Sequence, residues 1–314
     1  MDRRHTGQRD MSRYERQICL PEIGPEGQAR LAKARVLVVG AGGLGATLLP
    51  QLVGAGIGFI RLLDPDVVEE SNLHRQTLYR MNHLGRPKAE VAAASLGLLN
   101  PDCTLEPHIA RLDPAGLPQW AADVDLILDA ADTFATSYAL SDHCRATRQP
   151  LISASVTGRQ GYVGGFCGGA PSLRAVFPDL PESLGACAET GVLGPVVACL
   201  AALQAQMALA VLLQHRLSPL GQVLSLDLAT WRLGGFRFDN APEPTNPSPA
   251  ILSPAQINET DLVIDLRNTP TPAPHPTPGQ RVVFTCTSGL RAWRAARAFA
   301  AQGHTDVAIV GAGA

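Results

Sequence analysis

The chain has 314 residues, of which 46% are hydrophobic and 17% charged, with a formal net charge of −2. That is enough apolar material for a sizeable core and enough length for one large or two ordinary domains. The near-neutral balance argues against a nucleic-acid or polybasic membrane partner, and seven scattered cysteines with no C-x-x-C argue against a disulfide framework and for the reduced thiols of a cytoplasmic protein.

Arg3, Arg4 and Arg9 lie in the first ten residues with no apolar run behind them, which reads as a short basic tail and not a signal peptide. "SRYERQICLPEIGPEGQARLAKA" follows as an N-terminal arm with a helix around Gly27–Lys33. Strands are predicted at Val36–Val39, Phe59–Leu63, Leu105–Ile109, Leu126–Asp129 and Leu151–Ser155, with helices between them. The alternation predicts an α/β fold, a Rossmann-like doubly wound and mostly parallel sheet with helices on both faces. The run Gly191–Leu213 is long and apolar enough to span a bilayer, but it holds Gln204, Gln206 and Pro195 and lacks aromatic flanks, so it reads as a buried helix. A further strand is predicted at Val223–Leu228. "DNAPEPTNPSPAILSP" then has the composition of a linker, dividing the chain into residues 1–240, a linker at 241–250 and a smaller unit at 251–314. In that unit "DLVIDLR", "RVVFTC" and "DVAIV" read as strands and "GLRAWRAARAFAAQG" as an amphipathic helix.

Gly40, Gly42 and Gly45 fit G-x-G-x-x-G between a strand and a helix, where glycines let backbone approach phosphates and the helix N-terminus adds positive potential. Asp64 follows at the end of the second strand, where an acid can bond ribose hydroxyls. Alone, these features favour NAD(P) or FAD. Three later ones favour a triphosphate. Ser71, Asn72, His74, Arg75 and Gln76 cluster after the acidic strand end, and a guanidinium can bond phosphate oxygens bidentately. Lys88 opens a helix after Pro87. Asp129 and Asp132 stand at the C-terminal end of a strand, the edge where ligands of open α/β sheets bind and where a carboxylate suits Mg²⁺. Taken singly, Arg75 could be a surface ion pair, Lys88 a solvated residue and Asp132 a helix N-cap; their order along one sheet argues for a shared task.

From about Ser12 to Phe238 the chain resembles the MoeB/ThiF adenylyltransferases, bacterial relatives of ubiquitin-activating enzymes, in "RYERQ", "GAGGLG", "LLDPDVVEESNLHRQ", "GRPKAE", "LDAADT" and "ETGVLGPVVACLAALQAQMAL". The resemblance implies ATP, with Gly40, Gly42, Gly43, Gly45, Asp64 and Asp66 toward adenosine and ribose. Asn72, Arg75, Gln76 and Lys88 would contact the phosphates, Asp132 would ligate Mg²⁺, and Arg16 would reach the triphosphate from the other subunit of a homodimer. The implied partner is a ubiquitin-like sulfur carrier of MoaD/ThiS type ending in Gly-Gly. Its C-terminal carboxylate, already ionised at neutral pH with a pKa of roughly 3.5, needs alignment and charge neutralisation and no general base.

The family pattern breaks in places. Relatives carry two C-x-x-C pairs for a structural Zn²⁺, but Ser172 and Ala175 stand at the first and no cysteine follows "GGFRFDN", so no zinc site is expected. Thr133 replaces the usual Asn after the metal aspartate, and its shorter hydroxyl is expected still to reach the bound nucleotide and metal. Cys187 in "GACAETGVLGP" matches a loop cysteine that in some relatives takes up the carrier's acyl group, though Glu189 beside it would not lower its pKa.

In "FTCTSGLR", Cys286 ends an apolar strand and a loop to Arg291 leads into a helix. Loop N–H groups and a helix N-terminus favour an anionic sulfur. The stretch resembles the rhodanese active loop C-x-x-G-x-R, which implies a persulfide fed by a cysteine desulfurase or thiosulfate. The domain is short: "NTPTPAPHPTPGQ" stands where a full rhodanese domain has helices and strands. Small cores are marginal, so this piece is expected to lean on the first domain. The resulting expectation is ATP-dependent adenylation of a sulfur carrier for molybdopterin or thiamine biosynthesis, with an NAD(P)- or FAD-dependent oxidoreductase and a non-catalytic carrier scaffold as rivals.

Overall fold

The computed structural model describes residues 11–178, 191–245, 249–267, 276–286 and 289–310. After two N-terminal helices, α1 (Glu15–Ile18) and α2 (Gly24–Leu31), the chain alternates β1 (Arg35–Val39), α3 (Gly43–Ala55), β2 (Phe59–Leu63), α4 (Lys88–Leu99), β3 (Thr104–His108), α5 (Leu117–Trp120), β4 (Leu126–Asp129) and α6 (Phe134–Thr147). It continues with β5 (Pro150–Thr157), β6 (Gln160–Cys167), α7 (Leu173–Val176), α8 (Gly194–Leu212), β7 (Gln222–Asp227) and β8 (Arg232–Arg237). These strands form one sheet in the order β3-β2-β1-β4-β5-β6-β7-β8. The first five are parallel, and β6 to β8 are added antiparallel. Buried parallel strands read as continuous apolar runs, and "RVLVV", "FIRLL" and "LILD" lie within one residue of expectation. The arm helix starts earlier than expected, at Gly24, because Pro25 suits a first helical turn.

One face of the sheet is covered by α3, α4 and α8, whose leucines, valines and alanines share a buried cluster with Val36, Val38, Ile60 and Leu128. α8 has the length and apolarity to cross a membrane, and half of it is buried in the fold. Its Gln204 is fully buried, with Nε2 donating to the carbonyls of Asp129 (2.7 Å), the last residue of β4, and Ile152 (3.1 Å), within β5. A polar residue in that helix thus serves the sheet.

A second, all-parallel sheet has the order β10-β11-β12-β9, from β9 (Ala250–Ile251), β10 (Leu262–Asp265), β11 (Val282–Thr285) and β12 (Val307–Val310), with α9 (Leu290–Ala301) packed on it. Its core continues into the other face of the large sheet: Ile264, Phe284, Cys286 and Trp293 share a cluster with Leu37, Ile127, Tyr138 and Leu140. The Tyr138 and Trp293 rings meet at a tilt with centroids 5.4 Å apart, and the buried Arg174 guanidinium lies over both at 4.7 and 5.0 Å.

The stretch expected as linker is partly built in. Ala250 opens β9, and Glu243 accepts hydrogen bonds from Ser172 N (2.8 Å) and Oγ (2.6 Å) and pairs with Arg145 at 3.3 Å. A carboxylate tie therefore occupies Ser172, where the family resemblance would put a zinc cysteine.

Candidate active site

The order β3-β2-β1-β4-β5 reverses direction between β1 and β4, and open sheets of this kind leave a crevice at such a point beyond the strands' carboxyl ends. Two loops frame it, residues 40–42 after β1 and 130–133 after β4. They touch at Gly40, whose φ of +102° disfavours other residues and where a Cβ would stand 2.5 Å from Ala130 O. Gly42 is the N-cap of α3 without a side-chain cap, so the first-turn N–H groups of that helix face the crevice. Gly45 packs against the Gly40 carbonyl so closely that no side chain fits.

The Ala41 peptide is held from both sides. Asp64 Oδ2 accepts its N–H at 2.7 Å, and the Tyr79 hydroxyl donates to its carbonyl at 2.7 Å. Both side chains are buried. Burial pushes the Asp64 pKa up, while the N–H groups of Ala41 and Asp66 and the ammonium of Lys88 oppose that rise. Asp64 Oδ1 accepts from Asp66 N (2.9 Å), and Lys88 Nζ donates to Asp66 Oδ2 (3.0 Å). Lys88 itself is buried at the start of α4.

Gln76 is 3% exposed, and its Oε1 has no hydrogen-bond partner among the described residues. Its amide stands 3.6 Å from where a Gly42 Cβ would be. The stem of Arg75 lies 3.7 Å from the corresponding point at Gly43, and its Nη1 donates to Ser71 O (3.3 Å) and meets His74 Nε2 (2.7 Å). Asn72, also buried, donates to Ser71 Oγ at 3.1 Å. Gly40, Gly42, Gly43, Gly45, Asp64, Asp66, Asn72, Arg75, Gln76 and Lys88 are therefore gathered around one strand edge.

Across the crevice Asp132 is exposed. The helix N-cap is its neighbour Thr133, whose hydroxyl accepts from Thr136 N (3.4 Å) and donates to Thr136 Oγ1 (2.8 Å). Asp129 is fully buried, accepting from Ser153 Oγ (2.7 Å) and Ala131 N (3.2 Å), and burial pushes its pKa up to about 6. Sequence reasoning missed Tyr79 and the anchoring of Asp129; an aromatic residue in the polar run "RQTLYR" was the available signal.

Arg16 is exposed on α1 and lies elsewhere. Gln17 beside it donates to Ala55 O at 2.9 Å, at the far end of α3. A 13-residue helix spans about 18 Å between first and last residues, so Arg16 is at the opposite end of α3 from Gly43 in its own chain. Cys187 falls outside the described residues. Cys286 follows β11 and is 1% exposed, with Ala292 N–H donating to its Sγ at 3.3 Å. Arg291 Nη1 donates to Leu266 O at 3.0 Å. Arg267 is turned to Asp265, whose carboxyl it holds down at about 2.

Residues 14–248 match the model of the ThiF family. The chain is 39% identical over 239 residues to the SAMP-activating enzyme E1 of Haloferax volcanii, covering 76% of this chain and 87% of that protein. It is 41% identical over 212 residues to the sulfur carrier protein adenylyltransferase of Thermus thermophilus, covering 65% of this chain and 78% of that one. With the adenylyltransferase and sulfurtransferase uba4 of Emericella nidulans it shares 44% identity over 211 residues, 64% of this chain but only 44% of that longer protein. The chain thus spans under half the length of that fungal relative. Among solved structures the fold is similar to E. coli MccB, with a TM-score of 0.66 at 22% identity over 76% of this chain and 73% of that one. It is also similar to PaaA, with a TM-score of 0.63 at 22% identity over 76% and 77%. The strand order, the glycine loop at its switch point and the match over residues 14–248 agree: the chain belongs to the ThiF family.

Proposed function

We propose that this protein is an ATP-dependent adenylyltransferase that activates the C-terminal glycine of a ubiquitin-like sulfur carrier ending in Gly-Gly, in molybdopterin or thiamine biosynthesis. The observation that carries the reading is the buried Gln76, whose Oε1 beside Gly42 has no partner among the described residues, next to Arg75 over Gly43 and an α3 N-terminus with no side-chain cap. A buried acceptor left unpaired is costly, and a ligand group that donates to it repairs the deficit. The glycine loop gives backbone donors to the phosphates, Arg75 a planar fork and Lys88 a fixed positive charge. Asp64 spends one lone pair on Ala41 N–H of the glycine loop and one on Asp66 N–H, and keeps others for a ribose hydroxyl. Asp132, an exposed hard-oxygen donor across the crevice, fits Mg²⁺, which supplies charge neutralisation at the triphosphate. The carrier's carboxylate attacks the α-phosphorus, pyrophosphate leaves, and an acyl adenylate remains. What the protein contributes is alignment and a preorganised field. The names of the haloarchaeal, fungal and Thermus relatives support this substrate class.

The C-terminal unit is the proposed sulfur source. The terminal sulfur of a Cys286 persulfide, loaded by a cysteine desulfurase or from thiosulfate with release of sulfite, attacks the acyl carbon and AMP leaves, giving an acyl disulfide. A second thiol, Cys187 or an external one, then attacks the Cys286 sulfur, so that a disulfide forms, the S–S bond to the acyl group breaks and the thiocarboxylate departs. The Ala292 N–H aimed at Sγ supplies a donor that a persulfide on this cysteine could use. With the thiol 1% exposed, loading requires the unit to open. The deciding experiment for adenylation is exchange of labelled pyrophosphate into ATP with Mg²⁺ and a Gly-Gly-ended carrier. Asp132→Ala should abolish it, and normal exchange by that variant, or tight NAD binding without ATP binding, would overturn the assignment.

A further inference from the structure

We infer that His74 is a positioning residue for Arg75 and, through it, for the nucleotide's phosphates; this rests on the adenylation reading above. The contact is short, 2.7 Å from Arg75 Nη1 to His74 Nε2. A guanidinium has five donors and no acceptor and keeps its charge at any ordinary pH. The contact is therefore a hydrogen bond only in the tautomer whose Nε2 presents its lone pair and whose Nδ1 carries the proton. Ser71 O takes the same Nη1 at 3.3 Å. One arm of the fork is thus held by two acceptors, while Nη2 and Nε form no bond among the described residues and stay available for a bidentate phosphate contact.

The backbone beneath is fixed as well. Asn72 O accepts the N–H groups of Arg75 (3.1 Å) and Gln76 (3.0 Å). The first turn of α8 presses on the same segment, since a Cβ at Gly194 would stand 2.6 Å from His74 O and 3.5 Å from Arg75 Cα. A restrained backbone with a tethered side chain is preorganised: a free arginine gives up its rotamers on binding, and a held one has already done so. His74 touches none of the reacting atoms in this account, so its loss should weaken ATP binding more than it slows chemistry.

The test is ATP–pyrophosphate exchange with a small Gly-Gly-ended carrier at saturation. His74→Phe should raise KM for ATP about tenfold with kcat changed less than about twofold, as loss of preorganisation predicts. His74→Gln, whose Oε1 can accept from Nη1, should recover most of the loss. In an Arg75→Ala background His74→Phe should add little, because the two act as one unit. Nitrogen-15 NMR of labelled histidine, assigned with His74→Gln, should place the His74 proton on Nδ1. An unchanged KM in His74→Phe, an undiminished effect without Arg75, or a proton on Nε2 each overturns the inference. If Arg75→Ala itself leaves KM unchanged, the role given to Arg75 falls first and the inference with it, a result distinct from failure of His74 alone.

Discussion

Gly289 rests on Ala135. A Cβ at Gly289 would stand 3.0 Å from Ala135 Cβ and 3.5 Å from its N. Gly289 comes three residues after Cys286, and Ala135 three after Asp132. The start of α9, three residues after Cys286, and the first turn of α6, three residues after Asp132, therefore meet at one contact. Gly289 has a φ of +85°, so a branched residue there is strained as well as crowded. Gly289→Val should loosen the C-terminal unit from α6. The readout is alkylation of Cys286 followed by mass spectrometry. Cys286 should react slowly in the native chain, behind the exposed Cys19 and Cys199, and at least about tenfold faster in the variant, as local opening becomes easier. Equal rates would mean that this contact does not cover the thiol.

Cys286→Ser should leave ATP–pyrophosphate exchange intact, because the nucleotide residues belong to the large sheet. It should stop transfer of sulfur from thiosulfate or a persulfide donor to the carrier. Equal thiocarboxylate yields from variant and native protein would make the C-terminal unit a packing element.

Arg16 sits at the wrong end of α3 to serve its own glycine loop, which supports action in a second copy. Arg16→Ala and Asp132→Ala should each be inactive. Mixed dimers of the two variants should regain activity, since one of their two sites holds both residues. Well-formed mixed dimers without activity would exclude this arrangement.

Asp129 predicts a pH dependence of stability. Its folded pKa of about 6 lies above the ordinary 3.8, so the folded chain holds this proton more tightly than the unfolded one. The resulting stabilisation is full below about pH 4 and is lost as pH rises through about 6. At neutral pH the loss is on the order of 3 kcal/mol. Asp129→Asn keeps an oxygen to accept from Ala131 N–H and offers an NH2 that the Ser153 hydroxyl can turn to accept, and it removes the titration, so its stability should decline less between those limits. Parallel denaturation profiles for the two proteins would contradict the assignment.

The Ser172–Glu243 tie predicts independence from zinc. Elemental analysis of purified protein should find no stoichiometric zinc, and EDTA should leave Tm unchanged. Glu243→Ala should lower stability by about 2 kcal/mol, because two hydrogen bonds to a carboxylate are lost together. One zinc per chain would overturn the expectation.

β1, β2, β4 and β5 were legible because buried strands are dense in apolar residues, many of them branched, whereas the half-exposed β3, "TLEPH", was placed by its position in the alternation. β6 was not, since "QGYVGGFC" carries three glycines that dilute the strand signal, and β8 was not, because "RLGGFR" is an exposed edge with no apolar alternation. β9 is two residues long and has no pattern to read. The glycine loop, Asp64 and the run from Asn72 to Gln76 were legible because polar residues at strand ends need a reason. Tyr79 on Ala41 O and His74 on Arg75 were not, since both depend on where a loop folds back. Thr133 was expected near the metal, and the structure commits its hydroxyl to capping α6.

The carboxylate tie at Glu243 also sets a leash. Ala250, seven residues on, is already paired in the second sheet. Seven residues reach at most about 25 Å when fully extended. Were the C-terminal unit to lift from α6 while Glu243 stayed fastened to Ser172, Cys286 would search a small volume anchored beside the adenylating sheet. Confinement on that scale corresponds to an effective concentration on the order of 10 mM, well above what a separate sulfurtransferase reaches in solution. A short tether would thus favour the carrier activated nearby over carriers elsewhere, and lengthening the stretch after Glu243 should erode that preference.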